Sequence, residues 1–355
     1  MDLPTLLRKE ALTVRRNVGL FVVLLILIPA MLAGVTGVYE RTIPEDVPVG
    51  VVAADEETTD EELAVVRTGV RFFATPVSYD SMDEAKAGLE REEVYLVIEV
   101  PSGLSEEGEP ANFTVVSDRT IVPFSEPANM SANILDSELD RQFPADVSVE
   151  QERMNEDRVL TEYLMAAALV AFIFVYAMVF VPYQVRGERL VLDRLQTTSR
   201  LETVVASKVL FYGALTTVPV VSVGLVGRWM GFDMAILSPL TLVTVALTFV
   251  FLSAVGLAIL FALRLGRSAL FANVGLVFGL VGLSSLVYPV GFFSTTRKAI
   301  ARALPTHYAT ITTRSGMLRD TPATLYADYV LILLGSALAG LFVCWLSIQY
   351  YTRRR

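Results

Sequence analysis

The sequence predicts an α-helical polytopic membrane protein: six transmembrane helices, with a small α/β extracellular domain inserted after the first. Three observations carry that prediction. Of the 355 residues, 53% are apolar, too large a share for one soluble domain. Six apolar runs each approach the roughly 20 residues that cross a hydrocarbon core about 30 Å thick. Between Glu40 and Arg158, 29 acidic residues are set against 9 basic ones, whereas the remainder of the chain is basic. A long acidic stretch between apolar runs is a water-facing insertion.

Residues 1–39 form the first part. A basic segment, "LLRKEALTVRRN", reads as a cytoplasmic amphipathic helix and leads into the first run, Val18 to Val38. That run is longer than a signal-peptide core and reads as a retained anchor, although "AMLAG" offers a small-residue cleavage site. Residues 40–158 form the acidic insertion, long enough for a core of its own. "VPVGVVAA" and "VYLVIEV" are short, β-branched and closed by turn residues, as buried strands are. Between them, Thr59 with Glu62 and Ser81 with Glu84 have the spacing of capping boxes at two helix starts. "ANFTVVSD" adds a strand and "SEPANMSANILDSELDRQF" a helix, so the order is that of an α/β layer. The acidic excess, with arginine far above lysine, resembles proteins of salt-loving archaea. Asn112 and Asn129 open Asn-x-Ser/Thr triplets and are candidate glycosylation sites.

Residues 159–355 hold five further runs: Tyr163 to Tyr183, Val209 to Gly227, Pro239 to Leu263, Ala269 to Pro289 and Tyr329 to Ile348. Arginines follow the second run (186, 189, 194) and the fourth (264, 267), and "RRR" ends the chain. The positive-inside rule then sets both termini in the cytoplasm of a multi-pass cell-membrane protein and residues 40–158 outside. An outer segment, 291–327, runs against the rule, since it carries Arg297, Lys298, Arg302, Arg314 and Arg319.

Several chemistries are missing. The span centres hold no ionisable residue for coupling to an ion gradient. No protease motif and no Gly-x-x-x-x-Gly-Lys-Ser/Thr loop occurs. A single cysteine, Cys344, and a single histidine, His307, build neither a disulfide nor a metal centre, and His307 reads as structural. No catalytic residue, metal site, cofactor or nucleic-acid partner is expected. Uphill transport would draw its energy from a second protein.

The loop 184–208 is where such a protein would bind. "RGERLVLDRLQTTSRLETVVASKVL" places Val185, Leu190, Val191 and Leu195 at helical spacing, with Glu188, Arg189, Asp193 and Arg194 on the polar remainder. Thr198 or Ser199 then caps a second helix, with Glu202 three residues after Ser199. A short amphipathic helix of this kind suits either a partner's groove or a lipid surface.

The stretch resembles the signature of type-2 ABC transporter permeases, in Glu188, Asp193, Leu195, Thr197, Ser199-Arg200 and Lys208. It departs at Arg189-Leu190, where that family has Gly-Thr, at Thr198 for Pro and at Ser207 for Gly. "LLRKEALTVRRNVGLF", the Pro-containing first span, the large insertion (similar to sodium-export permeases) and "ALPTHYATITTRSGML" extend the resemblance along nearly the whole chain. It implies an export permease without its own ATPase site, paired with a second permease chain, identical or not. An ABC ATPase subunit would then sit against a coupling helix formed by Glu188, Arg189, Asp193, Arg194 and Leu195. It also implies that 291–327 lies outside as short, partly membrane-embedded helices. The competing expectation is a membrane-anchored binding or assembly protein that acts through its insertion and needs no ATPase.

Overall fold

The computed structural model describes residues 46–104, 110–125, 127–128, 146–189, 200–235, 237–319 and 321–353. The expected first span, most of the helix expected at 125–143, and residues 190–199 of the loop lie outside the described residues.

The α/β unit is built from β1 (Val47–Ala53), α1 (Asp60–Val70), β2 (Ala74–Ser78), α2 (Met82–Glu90), β3 (Leu96–Val100), β4 (Pro110–Asp118) and β5 (Asp146–Met154). The strands form one sheet in the order β2-β1-β3-β4-β5. β1 is parallel to β2 and β3, β4 runs antiparallel to β3, and β5 is parallel to β4. One face buries Val49, Val51, Ile98, Phe113 and Val115 with Val66 and Val70 of α1. The other buries Val52, Val97 and Val116 with Ala85 and Leu89 of α2. The period-two alternation of β1 thus feeds two cores. The strand β5 was not legible in sequence: only Val147 is buried among its charged residues, as an edge strand permits.

Both expected helix starts are present, and they differ. At α1 the Thr59 hydroxyl accepts from the Glu62 amide while the Thr59 amide donates to Glu62 at 2.8 Å, a closed capping box. The same carboxylate accepts from the Leu104 amide, so it also pins the turn after β3. Burial raises the Glu62 pKa, but these bonds outweigh it and hold the carboxyl below its ordinary value. At α2 only half the box forms: Ser81 accepts from Glu84, whose carboxylate is turned toward the Asp80 amide instead.

The helical bundle follows. Four helices among the described residues are long and apolar enough to cross a membrane: Leu160–Gly187, Leu201–Trp229, Pro239–Ala262 and Ala323–Arg353. The helices of the bundle are α3 (Leu160–Gly187), α4 (Leu201–Ala214), α5 (Thr217–Trp229), α6 (Pro239–Ala262), α7 (Arg267–Leu283), α8 (Thr295–Ala303), α9 (Pro305–Leu318) and α10 (Ala327–Arg353). The third expected span starts earlier than its apolar run, at Leu201, and is interrupted at Leu215–Thr216 between α4 and α5. The fifth is shorter than expected, since α7 stops at Leu283 and Ser285 turns into the left-handed region. The carbonyls of Ser285 and Leu286, freed from the helix, accept from Arg314.

Helix α6 is the most enclosed of the spans. It meets α3 at Gly256, opposite a π-helical turn at Tyr176–Phe180. Pro182 follows that turn and has no amide to give to the Met178 carbonyl, so the turn widens and the carbonyl faces Gly256. A Cβ at 256 would lie 2.9 Å from that oxygen and 3.0 Å from the Pro182 ring. Asn273 of α7 donates to the Gly256 carbonyl at 3.1 Å, closing three helices on one point. Gly256→Ala is expected to lower the thermal unfolding midpoint in detergent, at an overpacking cost of about 1–3 kcal/mol. An unchanged midpoint would show that the α3–α6 contact gives way freely.

Candidate functional site

Two constructions stand at opposite ends of the bundle. The first flanks the loop. Val185 is buried at the end of α3, and Glu188 caps that helix. The Glu188 carboxylate pairs with Lys208 of α4 at 2.6 Å. Arg186 donates through Nε to the Leu265 carbonyl in the α6–α7 turn, 3.2 Å away, where Arg264 and Leu265 both have positive φ. Ser199, the expected cap, lies outside the described residues; Glu202 accepts from Gln349 of α10 at 2.6 Å. Arg200, without a side-chain cap bond, precedes α4 instead. Arg189 and Arg200 are exposed at the two ends of the 190–199 segment. Asp193, Arg194 and Leu195 lie outside the described residues, as does Asn129. Asn112 sits on β4, where its Oδ1 accepts from Ser148 at 2.6 Å.

The bonds at this end join α3 to α4, α3 to the α6–α7 turn, and α4 to α10. These bonds link the two flanks of the 190–199 segment to three helices and to the α6–α7 turn. Partly exposed pairs such as Glu188–Lys208 contribute little stability by themselves, about 0–1 kcal/mol, and so they can be remade during a movement.

The second construction joins the α/β unit to the bundle, and sequence reasoning did not foresee it. Arg314 on α9 is 1% exposed and forks onto both Glu92 oxygens, at 2.8 and 3.1 Å. Its guanidinium also lies 4.1 Å over the Tyr163 ring of α3. Arg319, just past α9, pairs with Asp118 at 2.7 Å and approaches Glu92 at 3.7 Å. It donates to Thr120 at 2.8 Å, to Ser315 at 2.7 Å and to the Glu90 carbonyl. Two carboxylates thus balance two guanidiniums, all four side chains within 1% of complete burial. Burial alone would pull both arginines down; Glu92 beside Arg314 and Asp118 beside Arg319 more than offset it and hold each above its ordinary value.

The backbone around Glu92 is built for this. The Glu92 amide donates to the Leu89 carbonyl and the Glu93 amide to that of Gly88, a Schellman ending for α2. The left-handed position of that motif is normally glycine, yet here it is Glu92, at φ 57°. The cost is on the order of 1–2 kcal/mol, and the strained position puts a carboxylate between two arginines. The negative C-terminal end of α2 also receives cations and donors, as its dipole favours. Arg319 and Tyr326 both donate to the Glu90 carbonyl. Arg91 bridges Asp328 at 2.5 Å and Glu93 at 2.9 Å over the Tyr329 ring.

Three of the five basic residues that ran against the charge rule are engaged with the α/β unit. Arg314 and Arg319 are the counter-ions of the α/β unit, and Lys298 donates to the Asp46 carbonyl at 2.8 Å. His307 is buried with its Nδ1 3.0 Å from the Ser285 hydroxyl, as a structural histidine; burial, with Arg302 and Arg314 nearby, pushes its pKa down to about 3. Among the described residues no group of three metal-binding side chains occurs. A sequence signal for the junction did exist, though a weak one: two arginines in a threonine-rich neighbourhood, and a glutamate where a helix ending favours glycine.

The family described as ABC-2 family transporter protein matches residues 18–346, which takes in the α/β unit, its junction with Arg314 and Arg319, and the loop between α3 and α4. No curated protein and no solved structure matches the chain. The match spans more than nine-tenths of the sequence and agrees with apolar helices closing on a loop and a small sheet unit: the chain belongs to the ABC-2 family of transporter proteins and is a multi-pass membrane component of a transporter.

Proposed function

We propose that the chain is the permease subunit of an export system, moving a substrate across the cell membrane with ATP hydrolysed by a separate subunit. The ATPase docks on loop 184–208, with Glu188, Arg189, Asp193, Arg194 and Leu195 at the contact. Two permease chains, identical or not, form the path. The loop and both termini face the cytoplasm, and the acidic unit 40–158 lies outside, with 291–327 beneath it. The observation that carries this reading is the bonding at the loop. Glu188–Lys208, Arg186 on the Leu265 carbonyl and Gln349–Glu202 tie its flanks to helices that run the depth of the bundle. A push there has somewhere to go.

The test is purification of the tagged chain from native membranes in mild detergent, with ATP hydrolysis assayed in the eluate. Activity is expected to accompany the wild type. It is expected to fall at least tenfold in Glu188→Arg with Asp193→Arg, a reversal that opposes the partner's charges as well as removing an attraction. A folded wild type free of ATPase activity would move the function to the α/β unit.

A further inference from the structure

The α/β unit carries two phenylalanines that its own core does not use. Phe72 is 87% exposed and Phe73 42%, in the turn that joins α1 to β2. Burying one such ring is worth about 1.5–3 kcal/mol, so a pair left outside on an acidic, water-facing unit needs an occupant. The sheet register says where the turn lies. Ala74, the next residue, is paired with Val47 at the start of β1. The residue before Val47 is Asp46, held by Lys298 at 2.8 Å and by Thr295 at 3.4 Å, both on α8. Tyr95 at the start of β3 packs against Gly291, and the α2–β3 turn is the one locked onto Arg314. In the parallel part of the sheet, then, all three strand starts lie at the bundle end of the unit.

The lipid level is marked at the same place. A cleft of about 510 Å³ is lined on one side by Thr75 and Val77 of β2 and on the other by Asp328, Tyr329 and Ile332. Asp328 and Tyr329 open α10, and Ile332, about one turn further along the span, is 39% exposed. Leu331, Leu334 and Leu338 continue the apolar exposed surface down that helix. On α8, Ile300 is exposed beside exposed Arg302, an apolar and a cationic group on one short helix. Arg71, also exposed, precedes Phe72. Aromatic and aliphatic side chains bordered by arginines suit the boundary between acyl chains and phosphates.

We infer that Phe72 and Phe73 insert into the lipid leaflet on the side of the α/β unit and hold its β2 edge to the membrane. The inference rests on the bundle spanning a bilayer, and on neither the ATPase nor the direction of transport. Arg314 and Arg319, Lys298 on Asp46 and Arg91 on Asp328 hold the unit to the bundle through protein contacts. The phenylalanine turn supplies a further, reversible contact beside the cleft, with lipid as the partner.

A spin label tests this in the full chain reconstituted into bilayers. Phe72→Cys is labelled in a Cys344→Ala background, and its collision rates with oxygen and with a water-soluble nickel chelate are compared. Leu338→Cys on α10 serves as the lipid-facing reference and Glu61→Cys, at the far end of α1, as the aqueous one. The label at 72 is expected to favour oxygen as the label at 338 does, with nickel accessibility several-fold below that at 61. Behaviour matching position 61 would overturn the inference. So would a label shielded from both agents, which would put a second copy of the chain, and not lipid, against the turn.

Discussion

Arg314→Met is expected to unfold well below the wild type, because the loss is larger than one ion pair. Both Glu92 oxygens lose their hydrogen bonds while the carboxylate stays fully buried, with Arg319 left at 3.7 Å. Taking one member from a buried pair costs about 3–5 kcal/mol, mostly the desolvation of the charge left behind. The carbonyls of Ser285 and Leu286 lose their donor as well, where α7 has already ended. Thermal unfolding in detergent measures the effect. The double substitution Arg314→Met with Glu92→Gln is expected to recover part of it, since Asp118 and Arg319 then balance one to one. Equal midpoints for the single and double variants would show that the cost lies in packing on Tyr163, not in charge.

Glu92→Gly is expected to destabilise, against the usual sign for that position. Glycine at the left-handed end of a helix removes strain, and a gain of about 1 kcal/mol would follow on local grounds. Here the same change removes the carboxylate shared by Arg314 and Arg319 and leaves two buried guanidiniums with Asp118 alone. The charge term is several-fold larger than the strain term. The net loss is expected at about 1–4 kcal/mol, the difference between those two terms, read as a lower melting midpoint and easier proteolytic separation of the α/β unit from the bundle. A midpoint at or above wild type would mean that strain, not charge, governs the site.

These expectations concern residues the sequence left obscure, and the reason is physical. Elements set by local rules were legible. The Thr59–Glu62 cap, the β-branched runs of β1 and β3 and the apolar runs of α3, α6 and α10 each carry their signal within a few turns of chain. The limits of the third and fifth spans were misplaced, since Glu202 and the 285–286 carbonyls answer to partners outside their own helices. The junction was illegible for a related reason. Arg314 meets Glu92 across 222 positions, and a pairing of that span has no periodicity. The sequence instead presented arginines in 291–327 that broke the charge rule and an acidic insertion, and Arg314 on Glu92 with Arg319 on Asp118 join the two. At the loop, Glu188 was read as a contact residue for a partner, and its bond to Lys208, noted in the sequence only as part of a motif, was not foreseen.

The account turns on work being applied at one face of the membrane while the α/β unit stands at the other. Cysteine labelling in intact cells tests that most directly. Ser105→Cys and Ser199→Cys, each in a Cys344→Ala background, are exposed to an impermeant thiol reagent before and after permeabilisation. The account predicts labelling at 105 in intact cells and at 199 only once the membrane is opened. Labelling at 199 in intact cells, with 105 protected, would contradict the orientation and the coupling role of the loop with it.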